Sequence, residues 1–172
     1  MNGRPHIKIE KDRADKILFM VTCFFLAAVI IFNFWLWKVS PQIIPGHFDL
    51  SGKVNRYDDK SILFILPAIA LFIFLLLNTL IRYPELYNYS QKITEENAAG
   101  YYRQGIKIMR ILNLGIMLMF LAIEFEVCKG IKNNFLALHW WEFVPALLIT
   151  IIAPIFIAKK FFPLKTDHEQ QA

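Results

Sequence analysis

From Ile17 to Trp37 the chain runs 21 residues without a charged side chain, and from Ile62 to Ile81 it does so again. An α-helix needs about 20 apolar residues to cross the hydrocarbon core of a bilayer, so each block is long enough to be a span. The rest of the chain does not dilute this excess: 56% of the 172 residues are hydrophobic, too many for a protein that must solvate its surface in water. Two further blocks follow, the third being weaker. The stretch Ile111 to Ile123 is only 13 residues, so a third span must run from about Ile108 to Cys128 and carry Asn113, Glu124 and Glu126 with it. A fourth runs from Phe143 to Phe162, with Pro145 near its start and Pro154 inside, where a kink is expected.

The formal charge of +5 does not imply nucleic acid, because the 19 Lys and Arg are shared among short segments between apolar blocks. Their placement reads as topology. Thirteen fall in the amino-terminal head (Arg4 to Lys16), the segment after the second block (Arg82 to Arg110) and the tail (Lys159 to Lys165), whereas six fall in the other two connections. The positive-inside rule then puts both termini in the cytoplasm. Trp35, Trp37, Trp140 and Trp141 all lie at block ends on the predicted outer side, while five of six tyrosines lie between Tyr83 and Tyr102 on the inner side. The first block ends in two tryptophans with no small-x-small cleavage site, so it is expected to be an anchor and not a signal peptide. Cys23 and Cys128 belong to no metal-spaced motif, and a disulfide between them is not expected. The expected fold is all-α: one four-helix transmembrane bundle, residues 1–172, without internal repeat.

The connection Lys38 to Ser61 is long for neighbouring helices. Pro41, Pro45, Gly46 and Gly52 restrict its turns, and Ile43, Ile44, Phe48, Leu50 and Val54 offer apolar anchors, which predicts an ordered cap on the bundle. His47 could ligate a metal or sense protons with Asp49 and Asp58 or Asp59, and His139 could be a second ligand. The plainer reading is that His47 bonds loop carbonyls and fixes the turn before Phe48; a lone His without a second at metal-like spacing favours it, and no metal is expected.

On the inner side Thr94 is a plausible N-cap, with Glu95 and Glu96 in the first turn and Ala98, Tyr102, Ile106 and Met109 at helical spacing. This predicts an amphipathic helix within 82–107 that runs into the third span. Its apolar face suits either a cytoplasmic partner or the lipid interface, with Arg103 and Lys107 reaching headgroups. Arg110, Asn113, Met117, Phe120 and Glu124 share one face of the third span. Glu124 either points into the bundle or is hydrated near the outer surface.

The pattern Pro41-x-x-Ile44-Pro45-x-His47-Phe48-x-x-x-Gly52, with Tyr57 and Lys60 after it, resembles the bacterial domain-of-unknown-function family 1648. Asn88-Tyr89 and Ile93-Thr94-Glu95-Glu96-Asn97 are similar to that family's second motif, so the resemblance covers roughly residues 15 to 125. Asp49 stands where the family more often has Asn, and Asn55 where Asp is common. The same domain forms the amino-terminal part of membrane immunity proteins that protect against a secreted killing peptide and signal to a cytoplasmic repressor. The resemblance therefore implies an inner-membrane binding, sensing or immunity-like module, with the bilayer and an envelope peptide or protein as partners. His47, Phe48, Asp49, Gly52, Tyr57 and Lys60 are its candidate ligand residues, and Asn88, Thr94, Glu95, Glu96 and Asn97 its cytoplasmic motif. With four spans expected in 172 residues, no room is expected for the second multi-span module of those longer proteins. A transporter subunit using an Asn113–Glu124 stripe is the alternative, and a membrane-embedded enzyme ranks third. The chain has no Gly-rich phosphate loop, HExxH or GxSxG, so no catalytic residue or cofactor is expected.

Overall fold

Helix α1, Arg13–Val39, starts four residues before its apolar block because Asp12 and Asp15 cap one another. The Asp15 N–H donates to Asp12 Oδ1 at 2.8 Å and the Asp12 N–H donates to Asp15 Oδ2 at 3.1 Å, satisfying two amides that a helix start would otherwise leave open. The computed structural model describes residues 4–89, 91–136 and 140–156, excluding the side chains of Trp140 and Glu142. His139, the tail lysines and the end of the expected fourth span lie outside the described residues.

After α1 the chain forms a β-hairpin, which corrects the all-α expectation. Strand β1, Ile43–Phe48, pairs antiparallel with β2, Val54–Asp59, and the register shifts on both sides of His47. The Asp59 side chain accepts from the Ser61 N–H at 2.9 Å and caps a 3₁₀ turn, Lys60–Phe64, that leads into α2, Ile65–Leu80. Pro67 falls in the first turn of α2, where its missing N–H breaks no intrahelical bond.

A 3₁₀ turn at Pro84–Leu86 then leads to α3, Glu95–Asn133. The expected amphipathic helix and third span are this one helix of 39 residues, about 58 Å long at 1.5 Å per residue. Thr94 and Asn97 form its capping box, and it ends at Asn134 in the left-handed conformation (φ 50°) that commonly closes helices. Helix α4, Trp140–Leu147, continues through a π-helical turn, Leu148–Ile152, into helix up to Phe156. The irregularity expected at Pro154 takes this form: its ring would clash with the carbonyl of Thr150 in an unbroken α-helix, and the wider turn sits directly before it.

The helices alternate in direction, and α3 packs against α1, α2 and α4. The middle of the bundle is filled by Leu26, Val29, Ala70, Phe74 and Met117. At Gly115 a β-carbon would run into the Thr150 side chain and backbone, so glycine lets α3 and α4 approach closely. The outward faces are also apolar: Phe24, Ile31 and Phe34 on α1 and Phe72 and Leu75 on α2 are exposed, while Thr22, Asn33, Asn113 and Glu124 are buried. Arg13–Val39, Lys60–Leu80 and Glu95–Asn133 are long and apolar enough to cross a membrane, and Phe143–Phe156 is a shorter apolar helix. Trp35, Trp37 and Trp141 gather at the hairpin end, and Tyr83, Tyr87, Tyr89, Tyr101 and Tyr102 at the opposite end.

Candidate functional site

The hairpin is fastened to the bundle by apolar contact and by main-chain bonds. Ile44 is 1% exposed and packs with Leu36 and Leu63, against Val127, Cys128 and Ile131 of α3. Phe48 is half-buried over Gly130, where an added β-carbon would stand 2.9 Å from Phe48 Cζ. Gly52 occupies the turn at φ 85°, a conformation that costs glycine little. Its carbonyl accepts from the Leu136 N–H at 2.9 Å, and Lys53 bridges Phe135. The segment after α3 thus continues the hairpin's hydrogen bonding.

Asp49 organises the turn. Its Oδ1 accepts from the Ser51 hydroxyl at 2.7 Å, the Ser51 N–H at 2.8 Å and the Lys53 N–H at 3.0 Å. The Ser51 hydroxyl, followed by those amides, holds the Asp49 carboxyl below its ordinary value of 3.8. The Asp59 carboxyl is lowered in the same way by the Ser61 amide and hydroxyl and then by Gln42. Asp58 pairs with Arg56 at 2.8 Å, and Lys60 lies 4.7 Å from the centre of the Trp37 ring while donating to the Ser40 carbonyl at 3.3 Å.

His47 is exposed, and its Nδ1 lies 2.7 Å from Asn55 Oδ1 across the hairpin. Its partner is thus a side-chain amide, not the loop carbonyls the sequence implied. The carboxylates expected beside it are each occupied elsewhere in the hairpin. Among the described residues no three His, Cys, Asp or Glu side chains group as a metal site requires. The hairpin's outward surface presents Tyr57 (57% exposed), Ile43 and, at the tip, the fully exposed Leu50.

Glu124 points into the bundle, 0% exposed. Asn33 Nδ2 donates to Glu124 Oε1 at 3.1 Å and to the Leu63 carbonyl at 2.8 Å, so one amide ties α1 to α3 and to the turn before α2. Asn33 was missed in the sequence, although an Asn in the middle of an apolar block was the available signal. Asn113, 1% exposed, lies eleven residues earlier, about 16 Å along the axis, and its Oδ1 has no hydrogen-bond partner among the described residues. The two groups share a helix face without meeting.

At the opposite end Asn88, Glu95 and Glu96 are exposed. On the apolar face of α3, Ala98 and Tyr102, both 0% exposed, pack with Ile93 against Ile7, Ile9, Tyr89 and Tyr101. The amino-terminal segment is the partner. The Tyr102 hydroxyl donates to the Pro5 carbonyl at 3.0 Å, and Arg4 donates to the carbonyls of Glu85 and Tyr87. Burial pushes the Tyr87 phenol up to about 12 and raises Tyr89 too, so both stay neutral donors. Lys107, expected at headgroups, pairs with Asp12 at 3.0 Å.

Residues 24–71 match the family model described as Domain of unknown function (DUF1648). Over those residues the chain is similar to DUF1648. Its bounds enclose the half of α1 nearer the hairpin, the hairpin and the first turns of α2, so the matched unit is the hairpin with the two helices that present it. The match is narrower than the 15–125 expected from the motifs, and Asn88 to Asn97 lie outside it. Within the matched residues the two departures, Asp49 and Asn55, hold the turn and His47 respectively. An uncharacterised protein of Archaeoglobus fulgidus is 28% identical over 156 residues, covering 83% of this chain and 84% of its own. Similarity to an archaeal protein widens the setting beyond the bacterial one first expected. No solved structure matches the chain.

Proposed function

We propose that the chain is a four-span, non-enzymatic module of the cytoplasmic membrane that recognises an extended peptide or protein segment outside the cell with its hairpin. The observation that carries this reading is the hairpin itself: a hydrogen-bonded two-stranded cap that leaves Leu50, Tyr57 and Ile43 in the open. Exposed apolar side chains on an ordered, hydrogen-bonded support suit recognition, since little conformational freedom is lost on binding. A peptide adding along the exposed β2 would gain main-chain bonds, with Tyr57 supplying side-chain selectivity. The continuity of α3 from Gly130, beneath the hairpin, to Ala98, beneath the amino-terminal segment, supports a sensing role in which the hairpin reports to the cytoplasmic face. The exposed apolar girdle and buried polar residues support the bilayer as solvent.

The transport alternative has less support. Glu124 is enclosed by Asn33 and Leu63, and we assign it as a tie between helices. The test of recognition is backbone hydrogen exchange on the protein in nanodiscs, with a panel of soluble strand-forming peptides carrying alternating apolar side chains. Selective slowing in residues 43–59 by some peptides, lost in Tyr57→Ala, is the expected result. If no peptide slows those amides, the hairpin is a cap and not a recognition surface.

A further inference from the structure

At the end of the bundle away from the hairpin, α1, α2, α3 and the amino-terminal segment enclose a cavity of about 870 Å³ that none of the motifs above accounts for. Two buried groups of opposite charge line it. Asp15, 2% exposed, has Oδ1 without a hydrogen-bond partner, and Arg110, 5% exposed, has Nε without one. No salt bridge joins them, although both lie on the same cavity. Arg110 is held in place: it donates to Asn78 Oδ1 at 2.6 Å, and its guanidinium stands 5.1 Å from the centre of the Phe19 ring. Buried polar atoms are rarely left open in native proteins, and here a donor and an acceptor are open together.

The wall has a direction. Asp15 lies in the first turn of α1 and Asn78 in the last turn of α2, so the polar groups share one level. Met20, Phe74 and Leu75 lie deeper, and Met20 (60%) and Leu75 (54%) are exposed on the bundle's outside, so the cavity has a sideways apolar mouth. A ligand fitting this arrangement carries an anion for Arg110, an N–H cation for Asp15 and an apolar tail leaving between Met20 and Leu75. Guanidinium matches a phosphate oxygen pair, and a carboxylate accepts from an ammonium.

We infer that this cavity binds a phospholipid with an ethanolamine headgroup, its phosphate on Arg110, its ammonium on Asp15 and one acyl chain along Met20 and Leu75. The inference rests on the membrane-spanning reading above. Lys8, Lys11, Lys16 and Arg82 also line the cavity, against a further carboxylate at Glu10, and this basic excess favours the phosphate level of a cytoplasmic leaflet. An anionic lipid lacking an ammonium leaves Asp15 unmatched, and choline offers no N–H to it.

The test is native mass spectrometry of the full chain, extracted from alkali-washed membranes, with phosphatidylethanolamine, phosphatidylglycerol and phosphatidylcholine of identical acyl chains. Recovery in washed membranes establishes the membrane reading separately; a chain released by the wash overturns that reading and the lipid site with it. The expected result is about a tenfold preference for phosphatidylethanolamine, one charge-assisted contact's worth. Asp15→Asn should abolish its preference over phosphatidylcholine, and Arg110→Gln should weaken all three. Should either variant fail to fold, Met20→Trp and Leu75→Trp, at exposed positions, should block the tail and lower phosphatidylethanolamine binding. Equal binding of the three lipids overturns the proposal, as does unchanged binding in the tryptophan variants. Equal binding of soluble glycerophosphoethanolamine also overturns it, because the tail would then contribute nothing.

Discussion

Replacing Asn33 with Leu removes an amide that joins three elements, and its cost follows from what each partner loses. The Glu124 carboxyl, 0% exposed, loses the Asn33 amide, and the Leu63 carbonyl loses a bond of 2.8 Å. A buried polar group left without its partner costs about 1–3 kcal/mol, and more for a carboxyl group, so Asn33→Leu should destabilise by about 3–5 kcal/mol. Glu124→Gln keeps an acceptor of the same shape facing Asn33 and should cost about 1 kcal/mol or less. The double variant Asn33→Leu/Glu124→Leu removes the stranded carboxyl with its partner and should recover part of the loss, a coupling that a double-mutant cycle isolates. Thermal unfolding in detergent, followed by intrinsic tryptophan fluorescence, reads all three. At roughly 2–4 °C per kcal/mol for a chain of this size, the Asn33→Leu midpoint should fall by on the order of 10 °C. Equal shifts for Asn33→Leu and Glu124→Gln, or no recovery in the double variant, would refute the tie.

Three further outcomes are expected. Phe48→Ala should cost about 1–2 kcal/mol, below the full-burial range because the ring is only half-buried, and limited proteolysis should cut faster within residues 49–54; an unchanged cleavage rate shows that the ring does not fasten the hairpin. Tyr102→Phe loses the bond to the Pro5 carbonyl, worth about 1 kcal/mol, and should speed tryptic cleavage at Lys8 and Lys11, whereas no change would separate that bond from docking of the amino-terminal segment. The Asp49 and Asp59 carboxyls have folded values below the ordinary 3.8, so their contribution is complete above that value and is lost as pH falls through the lower folded values. Hydrogen exchange within residues 43–59 should therefore accelerate below about pH 4 beyond its intrinsic pH dependence, and Asp49→Asn should reduce that acceleration.

The apolar blocks located α1 and α2 to within a few residues, because lipid-length hydrophobic runs have few other solutions. The hairpin was legible as an ordered cap but not as strands. Pro45 and Gly46 are poor strand formers, and the register shifts beside His47 break the alternation that marks a strand. Gly46 lies where a β-carbon would run into Asp58, a constraint visible only once β2 is placed beside it. Glu124 was ambiguous while the end of its span was set near Cys128; α3 runs on to Asn133, which leaves Glu124 more than two turns inside the helix. Asn33 and Asn78 were unread because each is a single polar residue with a partner on another helix. Arg110 was read as a topology charge and as one member of a helix face, and the cavity it lines is assembled from four segments distant in sequence.

The central claim is that the hairpin and the α2–α3 connection lie on opposite sides of a membrane, and single-cysteine labelling tests it most directly. In a background with Cys23 and Cys128 replaced by Ala, Lys53→Cys and Lys92→Cys are treated in intact cells with a membrane-impermeant maleimide. The expected result is labelling at position 53 from outside and at position 92 only after the membrane is opened. Labelling of position 92 in intact cells, or of both positions alike, would contradict the account.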